Sequence, residues 1–505
     1  MSAIITEQLR ILNANNFASG IKSDSYYLFV GLPNATSVQS DWNSNPPAPV
    51  DNFDEESKYW ETMIALKKID STDVRRVVRK LTWTSGTTYE LYRHDYGRNN
   101  LSKQTNSSNL YEANYYVINR DYRVYICLQN GTTPETPNGK PSLDEPTFTD
   151  LEPRSAGSSG DGYIWKYLFT INPSDIVKFD TTNYVPVPDN WDTNSDVAAV
   201  RDNASTSTQI KTVLIVNRGT GYTSGLYSNV EISGDGTGGK VSITVDSSGK
   251  ISSVEVTNGG SNYTFGTINL NKSGITNSSS STDAEFTIII PPKGGHGYDI
   301  YRELGAKRVL IYSKLQNDDT NPDFITGNEF ARIGIVKNPQ SYNSTSVLSE
   351  DKVSSVYALR LSGANLNSTT FTYDSVITQT VGTGVTASGK VLSWNSTTGI
   401  LKYWQDRSIS SSSYGPEVYE FTSSPDSGGS LTIVGGSSNL SISTSFTGIT
   451  TIINNKKYYL GQQFNNGISN PEVKKYSGEV IYIDNRPSIT RSINQREDIK
   501  IILEF

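Results

Sequence analysis

The last thirty residues, Tyr476 to Phe505, constrain this chain most (YSGEVIYIDNRPSITRSINQREDIKIILEF). Gly478 to Ile483 sets Val480 and Tyr482 against Ile481 and Ile483, the two-residue period of a strand. Asp484-Asn485-Arg486-Pro487 follows and reads as a turn. A second apolar run closes the sequence: Ile499, Ile501, Ile502, Leu503 and Phe505. Strand backbone groups need hydrogen-bonding partners. These residues are therefore expected in a core sheet, with all five apolar side chains of the final run buried. Pro487 is expected to stop the first strand, because proline fixes φ and lacks an N–H. Arg486 is a candidate turn brace or interface charge.

The rest of the composition points the same way. Only 35% of the 505 residues are hydrophobic and 19% charged, and 41 glycines and 30 tyrosines are present. Such a bias suits strands joined by polar turns and not helical bundles, so the expected class is all-β, mainly antiparallel, with a few short helices. Net charge is −7, from 44 basic and 51 acidic residues. Without a basic block, binding driven by phosphate neutralisation is disfavoured, so no nucleic-acid partner is expected. A single cysteine, Cys127, excludes an intramolecular disulfide. Apolar runs are too short to span a bilayer and no signal peptide is visible, so no membrane insertion is expected.

Five segments follow from shifts in composition. Residues 1–204, 292–345 and 461–505 share one style and read as the N-terminal, middle and C-terminal parts of a core. Within them, Ile5, Leu9, Leu12 and Phe17 have helical spacing, and Asp54-Glu55-Glu56 precedes a second short helix over Tyr59 to Leu66. Strands are expected at Tyr26 to Gly31, Val74 to Val78, Tyr89 to Tyr92, Ala306 to Ser313 and Phe330 to Val336. Tyr115 to Ile118 and Tyr122 to Leu128 flank a hairpin turn, Asn119-Arg120-Asp121. Residues 205–291 form a Gly-rich inserted β-module with an internal duplication: IVNRGTGYT (Ile215 to Thr223) recurs as VTNGGSNYT (Val256 to Thr264). Residues 346–460 are a second inserted β-module, with a hairpin turn from Asn395 to Thr398.

Gly160-Asp161-Gly162 leads into Tyr163-Ile164-Trp165-Lys166-Tyr167-Leu168-Phe169. The glycines can take positive φ and Asp161 can bond the backbone across the turn. Tyr163, Trp165, Tyr167 and Phe169 share one strand face, expected to be buried at about 2–3 kcal/mol per ring. Trp165 is expected beneath the turn.

Four segments, in order, resemble a known family. They are the strand Tyr122 to Leu128; GDGYIWKYLFTINP (Gly160 to Pro173); EFARIGIVKNP (Glu329 to Pro339), preceded by AKRVLIY; and SGEVIYIDNRPSI (Ser477 to Ile489) before an aromatic last residue. Their pattern is similar to that of the baseplate wedge proteins (gene product eight) of T-even-type contractile-tailed bacteriophages. The resemblance covers 1–200, 292–345 and 465–505 and makes this a longer member carrying two inserted modules. It implies a two-domain all-β subunit with immunoglobulin-like sandwiches, acting in the tail baseplate of a virion assembled in the host cytoplasm. Its implied partners are a second copy of itself, as a homodimer, and the other wedge proteins. No enzymatic role and no cofactor are implied. Gly160, Asp161, Gly162, Trp165, Arg486, Pro487 and Phe505 are the structural or interface candidates.

Other chemistries find weaker support. GDGTGGK (Gly234 to Lys240) matches part of a phosphate loop, but Val241 stands where a hydroxyl should bind magnesium, so a Gly-rich β-turn is preferred. Two histidines, His94 and His296, and one cysteine make no metal site. No Gly-x-Ser-x-Gly elbow exists. The acids Asp51, Asp54, Glu55 and Glu56 suit a helix N-terminus better than a glycosidase pair. A tail-associated carbohydrate-binding adhesin is the alternative function; it requires Trp394, Tyr403 and Trp404 to be exposed, whereas alternating aromatics ordinarily pack a sheet core.

Overall fold

A computed structural model describes residues 3–34, 40–206, 209–278, 281–316, 329–405, 418–490 and 496–505. Strands make up 41% and helices 13%, which places the chain in the all-β class. It forms two compact units. The first comprises Met1–Ala18, Arg75–Leu310 and Ile502–Phe505; the second comprises Ser19–Val74 and Ile311–Ile501. Residues 19–74 thus group apart from the remainder of 1–204.

The first unit is centred on a three-stranded antiparallel sheet of Tyr116–Ile118, Arg123–Asn130 and Tyr163–Thr170. The hairpin turn falls at Asn119-Arg120-Asp121, where the Asn119 side chain accepts from the Asp121 and Arg123 amides, both at 2.9 Å. Two irregularities break the alternation of the third strand. Tyr125 pairs with Tyr167 and Val124 with Phe169, leaving Leu168 as an extra residue; Leu128 is extra on the facing strand. Such bulges re-aim side chains, and they put both faces of Tyr163–Thr170 in contact with the core. Tyr163, Trp165 and Phe169 are buried as expected, Tyr167 is only half-buried, and Lys166 and Leu168, of the opposite face, are buried against expectation. Tyr89 to Tyr92 is buried but is not a strand: its amides bond to Asn114 and Cys127 carbonyls as an extended loop.

The Gly-rich block of this unit carries its own apolar cluster, including Ile210, Val241, Ile243 and Ile251. Its four-stranded sheet has the order Ile251–Ser261, Thr237–Val245, Gly225–Gly234, Gly266–Ile268. The repeat is structural as well as sequential. Asn217 and Asn258 each accept from the amide two residues on, Gly219 and Gly260, at 2.9 Å. Both glycines have positive φ, and a Cβ on either would lie 2.6 or 2.7 Å from the ring of Tyr222 or Tyr263. Each tyrosine packs its ring over its own loop glycine, which is why the Asn-x-Gly-x-x-Tyr spacing recurs intact.

In the second unit a five-stranded antiparallel sheet runs in the order Lys352–Ser354, Met63–Lys68, Tyr26–Gly31, Glu329–Lys337, Glu479–Thr490. Every residue of Tyr26–Gly31 is buried, as befits its central place. A further sheet spans Tyr357–Ser362, Val376–Gly382, Val385–Asn395, Ile400–Trp404, Thr432–Ile433 and Leu440–Ile442, joined by Ile468–Ser469. It has its own core around Leu359, Leu361, Val391 and Leu401. The block expected at 346–460 is therefore displaced: Lys352–Ser354 belongs to the five-stranded sheet, and the module's sheet reaches residue 469.

Both short helices differ from expectation. Glu7–Ser23 is helical, but Ile5, Leu9 and Leu12 are exposed, and Ile11, Ala14, Ala18 and Ile21 form the buried face. The second helix is Phe53–Thr62, and Met63, Ile64 and Leu66 belong to the following strand. Asn52 caps it by accepting from the Glu55 amide at 2.8 Å, which places Asp54, Glu55 and Glu56 in its first turn, where acids stabilise.

Candidate functional site

The sequence candidates fall in three places. Gly160 and Gly162 both have positive φ (72° and 85°), and a Cβ on Gly162 would lie 2.8 Å from the Gly131 Cα. The Asp161 carboxylate ties this turn down, accepting from the Tyr163 amide at 3.0 Å and from the Leu143 amide at 2.9 Å. Trp165 is fully buried, stacked on Tyr163 at 5.3 Å and edge-on to Tyr89 at 5.8 Å. The turn and its tryptophan are a packing device.

Beside it lies a charge that sequence reading missed. Lys166 is 1% exposed; its Nζ donates to the Leu151 carbonyl at 2.7 Å and to Asn203 Oδ1 at 3.0 Å. Burial holds the ammonium down at about 8, against a partial restoring pull from Glu152. The unfolded chain keeps this proton to about pH 10.4. Between these values the unfolded state binds more protons, so stability should rise from pH 8 toward pH 10, by an amount on the order of 3 kcal/mol for this group. Above pH 10 the sign reverses, because buried tyrosines such as Tyr116 and Tyr163 resist the ionisation that the unfolded chain undergoes. Denaturant titrations across this range should show the rise, and Lys166→Met should diminish it. An unchanged profile in the variant contradicts the assignment.

The second place is the strand Glu479–Thr490, an edge of the five-stranded sheet. Asp484 to Pro487 is not a turn, as expected from sequence, but part of this strand. Phe330 pairs with Ile489 and Arg332 with Asn485, so Arg486, Pro487 and Ser488 bulge opposite Ala331. An edge bulge is where a sheet tolerates proline, since no ladder hydrogen bond is forfeited. The bulge is held from outside: Trp42 donates its indole N–H to the Arg486 carbonyl at 2.8 Å, and the Ser488 amide donates to Asn43 Oδ1 at 2.9 Å. The Arg486 guanidinium is 61% exposed and pairs with Asp484 at 2.5 Å. It braces no turn.

The same strand is anchored by Arg332, which is 1% exposed. Its guanidinium donates to Thr62 Oγ1 at 2.6 Å, Asn485 Oδ1 at 3.0 Å and Asn34 Oδ1 at 3.1 Å. The group also lies over the rings of Tyr59 at 4.8 Å and Trp42 at 5.4 Å. Burial lowers its pKa to about 10, so it stays charged at neutral pH. An arginine within the apolar run Phe330-Ala331-Arg332-Ile333-Gly334-Ile335-Val336 was the available signal, since an inward charge in a buried strand must be met by polar partners.

Phe505 is the third place. Its carbonyl accepts from Arg10 at 3.0 Å and its ring lies 5.4 Å from that of Phe17. In the final strand, Arg496–Glu504, Ile501 alone is fully buried; Ile499, Ile502, Leu503 and Phe505 are partly so, which corrects the expectation of five buried side chains.

The remaining constellations resolve into packing. Trp404 and Tyr403 are buried, and Trp394 packs edge-on to Phe371 while donating to the Thr369 carbonyl at 2.8 Å. His296 is buried against Glu303 at 2.6 Å, with the Tyr92 ring edge-on at 4.7 Å. His94 accepts from the Ile290 amide at 3.1 Å. Within Gly234 to Lys240 only Asp235-Gly236 lies between two strands, and the Asp235 carboxylate accepts from the Thr264 and Phe265 amides. Among the described residues, no three His, Cys, Asp or Glu side chains come together as metal ligands, and no helix is long and apolar enough to cross a membrane. No family model matches this chain, and no curated protein matches it.

Proposed function

We propose that this chain is a structural subunit of a contractile phage tail baseplate, a wedge component that acts through protein–protein interfaces and carries two added β-modules. The observation that carries the proposal is where the four resembling segments lie. Tyr122 to Leu128 pairs with the strand of GDGYIWKYLFTINP, and the strand of EFARIGIVKNP pairs with that of SGEVIYIDNRPSI. The second pair joins segments some 150 residues apart in sequence. Each pair joins an edge strand of a sheet to its inner neighbour, one pair in each unit. A match by chance has no reason to fall into mutually paired strands. Trp404 and Tyr403 are buried and Trp394 is packed against Phe371, so these three do not supply the exposed platform on which the adhesin reading rests.

The proposal includes a homodimer and, in the particle, contacts to the other wedge proteins. Light scattering of the purified chain at micromolar concentration should return twice the 55.4 kDa chain mass. A monomer at that concentration contradicts the dimer.

A further inference from the structure

A cavity of about 240 Å³ lies in the second unit between the edge strand and the segment leading into the Phe53–Thr62 helix. It is smaller than the roughly 300–1,000 Å³ of sites for drug-sized ligands, and its scale is that of one side chain. One wall is Val480 to Ile483; the other includes Val50, Asp51, Glu56 and Tyr59.

The walls and the rim differ in chemistry. Val50 and Ile481 offer aliphatic surface that is half in water, Ile481 being 41% exposed. Tyr59 is locked in place: its hydroxyl donates to the Val50 carbonyl at 3.0 Å and accepts from the Val50 amide at 3.1 Å. Two carboxylates, Asp51 and Glu56, stand at the rim. Their neighbours Asp54 and Glu55 hold Lys58 at 2.9 and 2.7 Å, but Asp51 and Glu56 form no ion pair among the described residues. Aliphatic walls below an unneutralised anionic rim complement a side chain with an apolar stem and a cationic head.

The strand adds a backbone feature. Among the described strands, Glu479–Thr490 pairs only with Glu329–Lys337, so the outer edge of Val480 to Ile483 faces the cavity without a strand partner. Val480 pairs with Val336 and Tyr482 with Ile335, leaving Ile481 as a bulged extra residue. Bulges discourage long edge pairing. A partner strand would find only a short register here, and the side-chain cavity would carry the recognition.

We infer that this cavity is a docking site for an extended segment of a partner protein, which inserts one arginine or lysine side chain between Ile481 and the Asp51–Glu56 rim. The inference rests on the cavity and its anionic rim and stands apart from the wedge proposal, so either can fail alone.

The test uses the full chain and a blocked pentapeptide of serine, valine, arginine, valine and serine, with lysine and norleucine analogues at the centre, read by calorimetry up to about 1 mM peptide. The arginine and lysine peptides should bind saturably, and the norleucine peptide at least about tenfold more weakly. Asp51→Asn with Glu56→Gln should weaken the basic peptides by about tenfold or more with little change in the thermal midpoint. Ile481→Lys, at an exposed position, should abolish binding by filling the cavity with its own cation. Norleucine binding as well as arginine, full binding by the neutralised variant or by Ile481→Lys, or no binding of either basic peptide would each overturn the inference.

Discussion

Truncation after Asn494 is expected to leave a chain without a stable fold. The deletion removes the strand Arg496–Glu504, the edge neighbour of Arg308–Gln316. It removes one fully buried and four partly buried apolar side chains. At about 2 kcal/mol for full burial and about half that for each of the others, the apolar loss is on the order of 6 kcal/mol. Polar losses add to it. Glu504 pairs with Arg308 at 2.8 Å and lies 3.7 Å from Lys307; Asp498 accepts from the Tyr312 hydroxyl at 2.8 Å. Lys307 is only 8% exposed at its side chain, so it would lose part of its charge compensation in a poorly solvated position. The total rivals the whole stability of an ordinary domain. Circular dichroism and solubility of the truncated chain check this; a soluble product with a cooperative native melt contradicts it.

Arg332→Ala should destabilise the second unit by about 3 kcal/mol. Three hydrogen bonds from a charged donor vanish, together with the stacking on Tyr59 and Trp42, and a cavity opens beneath the edge strand. Relief of the buried charge's desolvation offsets part of that. Arg332→Met separates the terms. It refills most of the volume without a charge, and should recover about 1–2 kcal/mol of the loss. Denaturant midpoints decide the matter: an alanine variant within about 0.5 kcal/mol of the parent, the range of a surface change, would contradict the anchoring role.

Where local chemistry and tertiary context agreed, the fold was legible in the residues. The Asn119-Arg120-Asp121 hairpin, the all-buried Tyr26–Gly31 strand and the Asn-x-Gly-x-x-Tyr duplication were read correctly, because turn glycines and strand periodicity act over a few residues. Tertiary context overruled the local signal elsewhere. Asp484-Asn485-Arg486-Pro487 has turn composition, yet pairing with Glu329–Lys337 and the clamp from Trp42 and Asn43 keep it in a bulged strand. Met63, Ile64 and Leu66 fit a helix by spacing, but the sheet beside Tyr26–Gly31 claims them. Lys166 and Arg332 escape a local reading for a different reason. A charged residue is ordinarily read as solvated, and only the positions of distant carbonyl, amide and hydroxyl oxygens show that these two are satisfied inside. Of the site candidates, Gly160 and Gly162 have the expected positive φ and Trp165 is buried as expected, whereas the cavity beside Ile481 depends on two segments more than 400 residues apart and has no local signature.

The proposed role places this chain in the baseplate of a contractile tail. Gold labelling with an antibody to the purified chain, viewed by electron microscopy on particles produced from the genome that encodes it, tests the claim most directly. Label confined to the tail end distal to the capsid, on contractile tails, is the predicted result. Label on the capsid, label along the sheath, or particles that lack the chain altogether would contradict it.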